Sequence, residues 1–170
     1  DLFRESALIA LSAAETSDAF GRGEVSREIV EDAVGAACAV PPVGEWSFVA
    51  LDSAAARRRV LAAAGANDVL RAAPILILPC VRVSAKTSEE TILLSAGATI
   101  RTLVVALHAQ HIGWSWDPRG PFDAEGARAA LALGEGWRAL GIVAVGPMPE
   151  GGASRRRSPA VPTDALDWRG

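Results

Sequence analysis

Between Thr87 and Pro121 the chain reads TSEETILLSAGATIRTLVVALHAQHIGWSWDPRGP. From Ser88 to His111 the spacing predicts one helix, apolar or small on most of its circumference. At 1.5 Å per residue it would run roughly 36 Å. A helix with so little polar surface must lie inside a domain or between subunits. Arg101 in its middle and His108 and His111 near its end argue against a membrane span. Thr87 and Glu90 have capping-box spacing, in which hydroxyl and carboxylate each satisfy an orphan amide. Thr91, Ser95, Thr99 and Thr102 form a thin hydroxyl stripe, and Ala96, Gly97 and Ala98 would let a second helix approach closely.

The elements around this helix follow from local signals. Asp1 to Ala14 has helical apolar spacing, and Phe20, Gly21 and Gly23 mark a loop. Ser26 caps a helix over Arg27–Val40, ended by Pro41, Pro42 and Gly44. Trp46–Leu51 reads as a strand. Ser53 caps a helix over Ala54–Ala64 that stops near Gly65, and Asn67–Ala72 forms a short helix. Pro74–Val83 is a continuous apolar run that suits a strand buried on both faces. Pro79 inside it calls for an edge position or a bulge. Ile112–Trp116 is a short strand entering the turn Asp117–Pro121. Asp123 caps a helix over Ala124–Leu133, and Trp137–Val145 is the last strand. Gly151–Pro162 is a Gly/Ser/Arg/Pro-rich arm, followed by a short tail over Thr163–Arg169. The order is α+β or α/β, with one domain over residues 1–170.

A net charge of -3 gives no reason to expect nucleic acid or anionic membrane as a partner. Cys38 and Cys80 both sit in apolar contexts and read as buried thiols in a reducing, cytoplasmic compartment. The chain starts at Asp1 and has a single methionine, Met148, as a piece trimmed or cut from a longer polypeptide would.

Few residues carry chemistry. His108 and His111 lack further ligands at suitable spacing, so no metal is expected, and a cation favoured by the helix dipole is the simpler reading. Gly21-Arg22-Gly23 follows no clear strand and lacks the third glycine of a dinucleotide fingerprint. Nucleophile-elbow and Walker motifs are absent from the sequence. Arg57, Arg58 and Arg59 point different ways on a helix and read as solvated. Arg155, Arg156 and Arg157 lie on an extended arm, where alternate guanidiniums could converge on one phosphate; a flexible basic tail is the alternative. Trp114 and Trp116 would share one face of a strand, either as a stacking wall for a planar ligand or, for at least one of them, as core.

LLSAGATIRTLVVALHAQHIGWSW resembles the central helix and following turn of nitroreductase-fold flavoproteins. WRALGIVAVGPMPE is similar to their next strand, and RRRSP to their C-terminal K/R-x-R-x-P arm. EVSREIVEDAVGAACAVPP and WSFVALDSAAARRRVLAAA fit their second helix and first strand–helix unit. Within that fold the chain most resembles the C-terminal domains of bifunctional deazaflavin-coenzyme γ-glutamyl ligase/reductases. The resemblance implies an α+β fold with a mainly antiparallel sheet flanked by helices. It also implies a homodimer on the long helix, FMN at the interface, and reduction of a small-molecule precursor of the deazaflavin coenzyme. Arg155 and Arg157 would then hold the phosphate, and Gly113, Trp116, Arg119 and Gly120 would line the ring. No side-chain acid or base is required, since flavin carries the redox chemistry.

Three departures stand out. The family's R-R-x-x-R-x-F motif corresponds to Ala14–Phe20, where Glu15 and Asp18 replace expected cations and would repel a phosphate. Pro118 brings no amide to the ring-facing turn. Loops near Ala64–Asn67 and Val83–Thr87 are short, as trimming or redesign of an active parent would leave them. The alternative is therefore a degenerate dimer that has lost flavin and serves as a binding or assembly module.

Overall fold

The computed structural model describes residues 16–39, 44–65, 67–82, 88–118, 129 and 131–150. The expected helix Asp1–Ala14, Glu15, Thr87, Arg119, Gly120, the Asp123 cap and the arm and tail from Gly151 onward lie outside them.

Helix α1 (Arg27–Cys38) starts where Ser26 Oγ accepts the Ile29 amide at 3.4 Å. Strand β1 (Glu45–Leu51) leads to α2 (Ala54–Ala64), capped by Ser53 Oγ accepting the Ala56 amide at 3.2 Å. Gly65 ends α2 in the left-handed region at φ 64°, its amide donating to Leu61 O. Asn67 caps α3 (Asp68–Ala72) through the Leu70 amide at 2.9 Å. Strand β2 (Ile75–Arg82) follows, then α4 (Glu89–Ala109), β3 (Ile112–Asp117), β4 (Trp137–Ala139) and β5 (Ile142–Pro147).

All strand pairs are antiparallel, in the order β1-β2-β5-β3, with β4 also on β2. The alternation of β2 builds two cores. Ile75 and Ile77 face α1 and α4, where they join Val30, Ala33, Ile100, Leu103, Leu107, Val143 and Val145. Leu76, Leu78 and Cys80 face α2 and α3, where they join Val60, Leu61, Leu70, Ile142 and Ala144. A strand covered on both faces has no polar side, hence its unbroken apolar run. Burial holds the Cys80 thiol up at about 12, so it is an inert core group. Cys38 differs from expectation: it is exposed on the last turn of α1.

Pro79 is not on an edge strand. It sits in β2 opposite Phe48 of β1, in the interior of the sheet. The bulge half of the expectation holds, but the extra residue is in the partner. Ile77 pairs with Val143 and Cys80 with Ala139, so two residues of β2 face three of the neighbouring segment. This break at Leu140–Gly141 divides the expected strand Trp137–Val145 into β4 and β5. The Leu140 amide donates to Pro79 O at 2.8 Å. Proline's missing donor points to that same side, where the ladder is already interrupted.

Two further boundaries move. Ser88, not Thr87, caps α4: its Oγ accepts the Thr91 amide at 3.2 Å and lies 2.7 Å from Thr91 Oγ1. Three residues after Ser88 stands Thr91 rather than a glutamate, so the helix starts on a plain hydroxyl cap and not on a capping box. Near the other expected helix, Leu131 and Ala132 lie in a turn, with Ala132 at φ 51°, so no helix reaches Leu133.

Candidate functional site

Helix α4 passes into β3 through only Gln110 and His111, with His111 turned back at φ 59°. Gln110 Nε2 reaches Ile29 O and Ala106 O, both at 3.4 Å, tying the junction to α1. Strand alternation then places Ile112, Trp114 and Trp116 on the α4 face of the sheet and Gly113, Ser115 and Asp117 on the other. The two tryptophans do share a face, with different fates. Trp114 is 8% exposed and belongs to the core, while Trp116 is 38% exposed at the sheet edge. Trp116 alone can offer a ring face to a ligand.

The outer edge of β3 is covered by the segment Thr16–Gly21. The Ser17 amide donates to Trp114 O at 2.6 Å, and the Trp114 amide donates to Ser17 Oγ at 3.2 Å. Phe20 then crosses a flat spot made by Gly113 and Gly146, which are directly paired across β3 and β5. A Cβ on Gly146 would stand 2.7 Å from Phe20 Cγ and Cδ1; one on Gly113 would stand 2.9 Å from Ser17 Oγ. The Gly21 amide closes the segment onto Pro147 O at 2.8 Å. Gly113 therefore makes room for Ser17 and Phe20. Asp18 is exposed on this segment.

Beyond β3, the Asp117 carboxylate accepts from Asn67 Nδ2 at 3.5 Å, which links the turn to the cap of α3. From the far side Gly141, at φ 111°, lies against Trp116, Asp117 and Pro118. Pattern reading missed Ser17, Asn67, Gly141 and Gly146. Glycines inside strand-forming runs were the available signal, since they mark close approach of another chain segment. Arg119, Gly120, Arg155 and Arg157 lie outside the described residues.

His108 does not behave as the expected cation. Burial, with His111 and Arg101 nearby, pushes its pKa below the usual imidazole range, and its Nδ1 is buried without a partner. The helix dipole favours a cation there, but desolvation and two like charges oppose it. Among the described residues no His, Cys, Asp and Glu cluster could hold a metal. A concavity of about 290 Å³ lies between α1 and the ends of β1 and β2, lined by Arg27, Val30, Glu31, Ala50, Asp52 and Ile75. Arg27 Nε and Nη2 both donate to Asp52 Oδ2, at 3.0 and 2.5 Å, and hold that carboxyl below its ordinary range. Arg58 and Arg59 are exposed, as expected, while Arg57 donates to Asp52 O.

No family model matches the sequence. Solved structures do match. A Parabacteroides distasonis protein assigned as an NADH dehydrogenase/NAD(P)H nitroreductase superposes with TM-score 0.79 at 18% identity, over 97% of this chain and 98% of that one. A Desulfovibrio desulfuricans protein assigned as a nitroreductase and solved in complex with FMN gives 0.77 at 23%, over 89% and 91%. NfrA2 of B. megaterium gives 0.79 at 15%, over 96% and 73%. Its antiparallel sheet, two flanking helical layers and long α4 thus give this chain the nitroreductase-like fold.

Proposed function

We propose that the chain is a homodimeric, cytoplasmic, FMN-dependent oxidoreductase of the nitroreductase kind, acting on a precursor in deazaflavin-coenzyme biosynthesis. The observation that carries the reading is the fold, shared along most of its length with a protein that holds FMN. The surface of α4 supports the dimer: Leu93 is 50% and Leu94 73% exposed, and nothing lies within 4 Å of a Cβ placed on Gly97. Two free thiols suit a reducing compartment.

The described residues fit a flavin ring better than a flavin phosphate. Trp116 presents an accessible aromatic face at the mouth of β3. On Thr16–Gly21, by contrast, the Ser17 amide and hydroxyl are both engaged with Trp114, and Asp18 adds a carboxylate. The phosphate cations are then Arg155 and Arg157, with Arg119 and Gly120 at the ring-facing turn. FMN, when bound, supplies hydride transfer between a donor and the substrate. The protein's part is to stack against the ring through Trp116, to neutralise the phosphate and to exclude water.

The closed Ser17 contact and Asp18 favour a second reading, a flavin-free dimer that serves as a binding or assembly module. A visible spectrum of the purified protein, with and without added FMN, separates the two. The oxidoreductase reading expects a flavin spectrum or saturable FMN binding. A colourless protein with no response to FMN leaves the binding module. If repulsion at the start of the chain limits affinity, Glu15→Arg with Asp18→Arg tightens FMN binding.

A further inference from the structure

The bulge between β4 and β5 lies directly beside the turn that leaves β3. Gly141 is in the bulge, buried, at φ 111°. A Cβ there would stand 2.5 Å from Asp117 O, 2.8 Å from Trp116 Nε1 and 3.0 Å from Pro118 Cα. Two of these are backbone atoms, so no rotamer change relieves the overlap. Trp116 is paired with Val143, which makes Gly141 its diagonal neighbour, within reach of an aromatic side chain. The indole N–H edge is seated over Gly141, as aromatic rings cover glycines elsewhere in sheets. Asn67 holds Asp117 from the opposite face of the sheet, so the turn is clamped between Gly141 and the cap of α3.

We infer that Gly141 is a positioning residue: its missing side chain sets the pose of the Trp116 ring and of the Asp117–Pro118 backbone, and through them the affinity for a planar ligand. The ligand part rests on the flavin reading above; the ring pose does not. Gly141 touches no ligand itself. It acts from the neighbouring strand because the bulge brings one backbone position under the turn, where a regular ladder would hold the two strands at ordinary spacing.

The test uses Gly141→Ala in the full chain, with Gly35→Ala as control because nothing lies within 4 Å of a Cβ at Gly35. The Trp116 indole N–H resonance, assigned by its loss in Trp116→Phe, reports the pose, and an FMN titration reports affinity. Gly141→Ala is expected to move the resonance and, through the displaced Trp116 ring, to weaken FMN binding by about tenfold. Gly35→Ala is expected to change neither. An unmoved resonance overturns the inference, and so does a moved resonance with unchanged FMN affinity. The wild-type protein gives a check that needs no variant to fold: a nuclear Overhauser contact between the Trp116 indole N–H and the Gly141 α-protons. Its absence overturns the seating. If the wild type binds no FMN, the flavin reading fails, and the resonance and the Overhauser contact still decide the ring pose.

Discussion

The inner and outer faces of α4 are made of the same kinds of residue and meet different surroundings. Inward, Ile100, Leu103, Val104 and Leu107 pack with α1 and the sheet, and Ile92 and Ala96 are buried as well. Outward, Leu93, Leu94, Gly97 and Ala98 face solvent in the single chain. Hydropathy cannot separate the two, since a helix apolar all round signals only that something covers each side. The difference shows that one face carries the fold of the chain and the other is free to carry association. A buried leucine contributes about 1.5–3 kcal/mol by leaving water, and an exposed one contributes that only when a partner arrives.

Substitutions on each face sharpen the contrast. Leu103 is fully buried, so Leu103→Ala is expected to cost about 2–5 kcal/mol, read as a lower denaturant midpoint at unchanged slope. Leu94→Glu should leave the stability of the single chain within about 0.5 kcal/mol, as for most surface changes. Its effect should appear in sedimentation, as loss of the proposed dimer. A monomeric wild type, or a Leu94→Glu variant that still dimerises, breaks the assignment of the outer face. The smallest effect lies at the helix end. The folded-state pKa of His108 is lowered, so the unfolded chain takes up its proton first as pH falls. The stability tied to neutral His108 is present above about 6.5, the ordinary imidazole value, and is lost as pH drops through the lower folded value. His108→Gln should flatten the pH dependence of the midpoint below that point, and an equally steep curve in the variant would place its origin elsewhere.

Local features of this chain were legible in proportion to how local their causes are. Ser26, Ser53 and Gly65 act within one helical turn, and each was readable from its neighbours. The two-sided burial of β2 was readable because the run contains no polar side. Its central place was not, because Pro79 argues for an edge unless one knows that the adjoining segment carries an extra residue. Gly113 looked like a ligand contact and lies under Ser17 and Phe20. That contact joins positions about a hundred residues apart, and no spacing rule reaches so far. The capping-box spacing of Thr87 and Glu90 pointed to the wrong one of two adjacent hydroxyls. Trp114 and Trp116 share chemistry and parity, and only the covering of the sheet by α1 and α4 separates the buried ring from the open one.

The bulge at Leu140–Gly141 has a consequence for chain length. Upstream of it β4 meets β2 one residue out of step with β5. Deleting one residue there would leave two residues facing two, so Trp137–Ala139 would keep its partners on β2 in a regular ladder and the bulge beside the β3 turn would be lost. One residue of length at this point therefore sets the geometry beside β3 and not the layer that β4 faces.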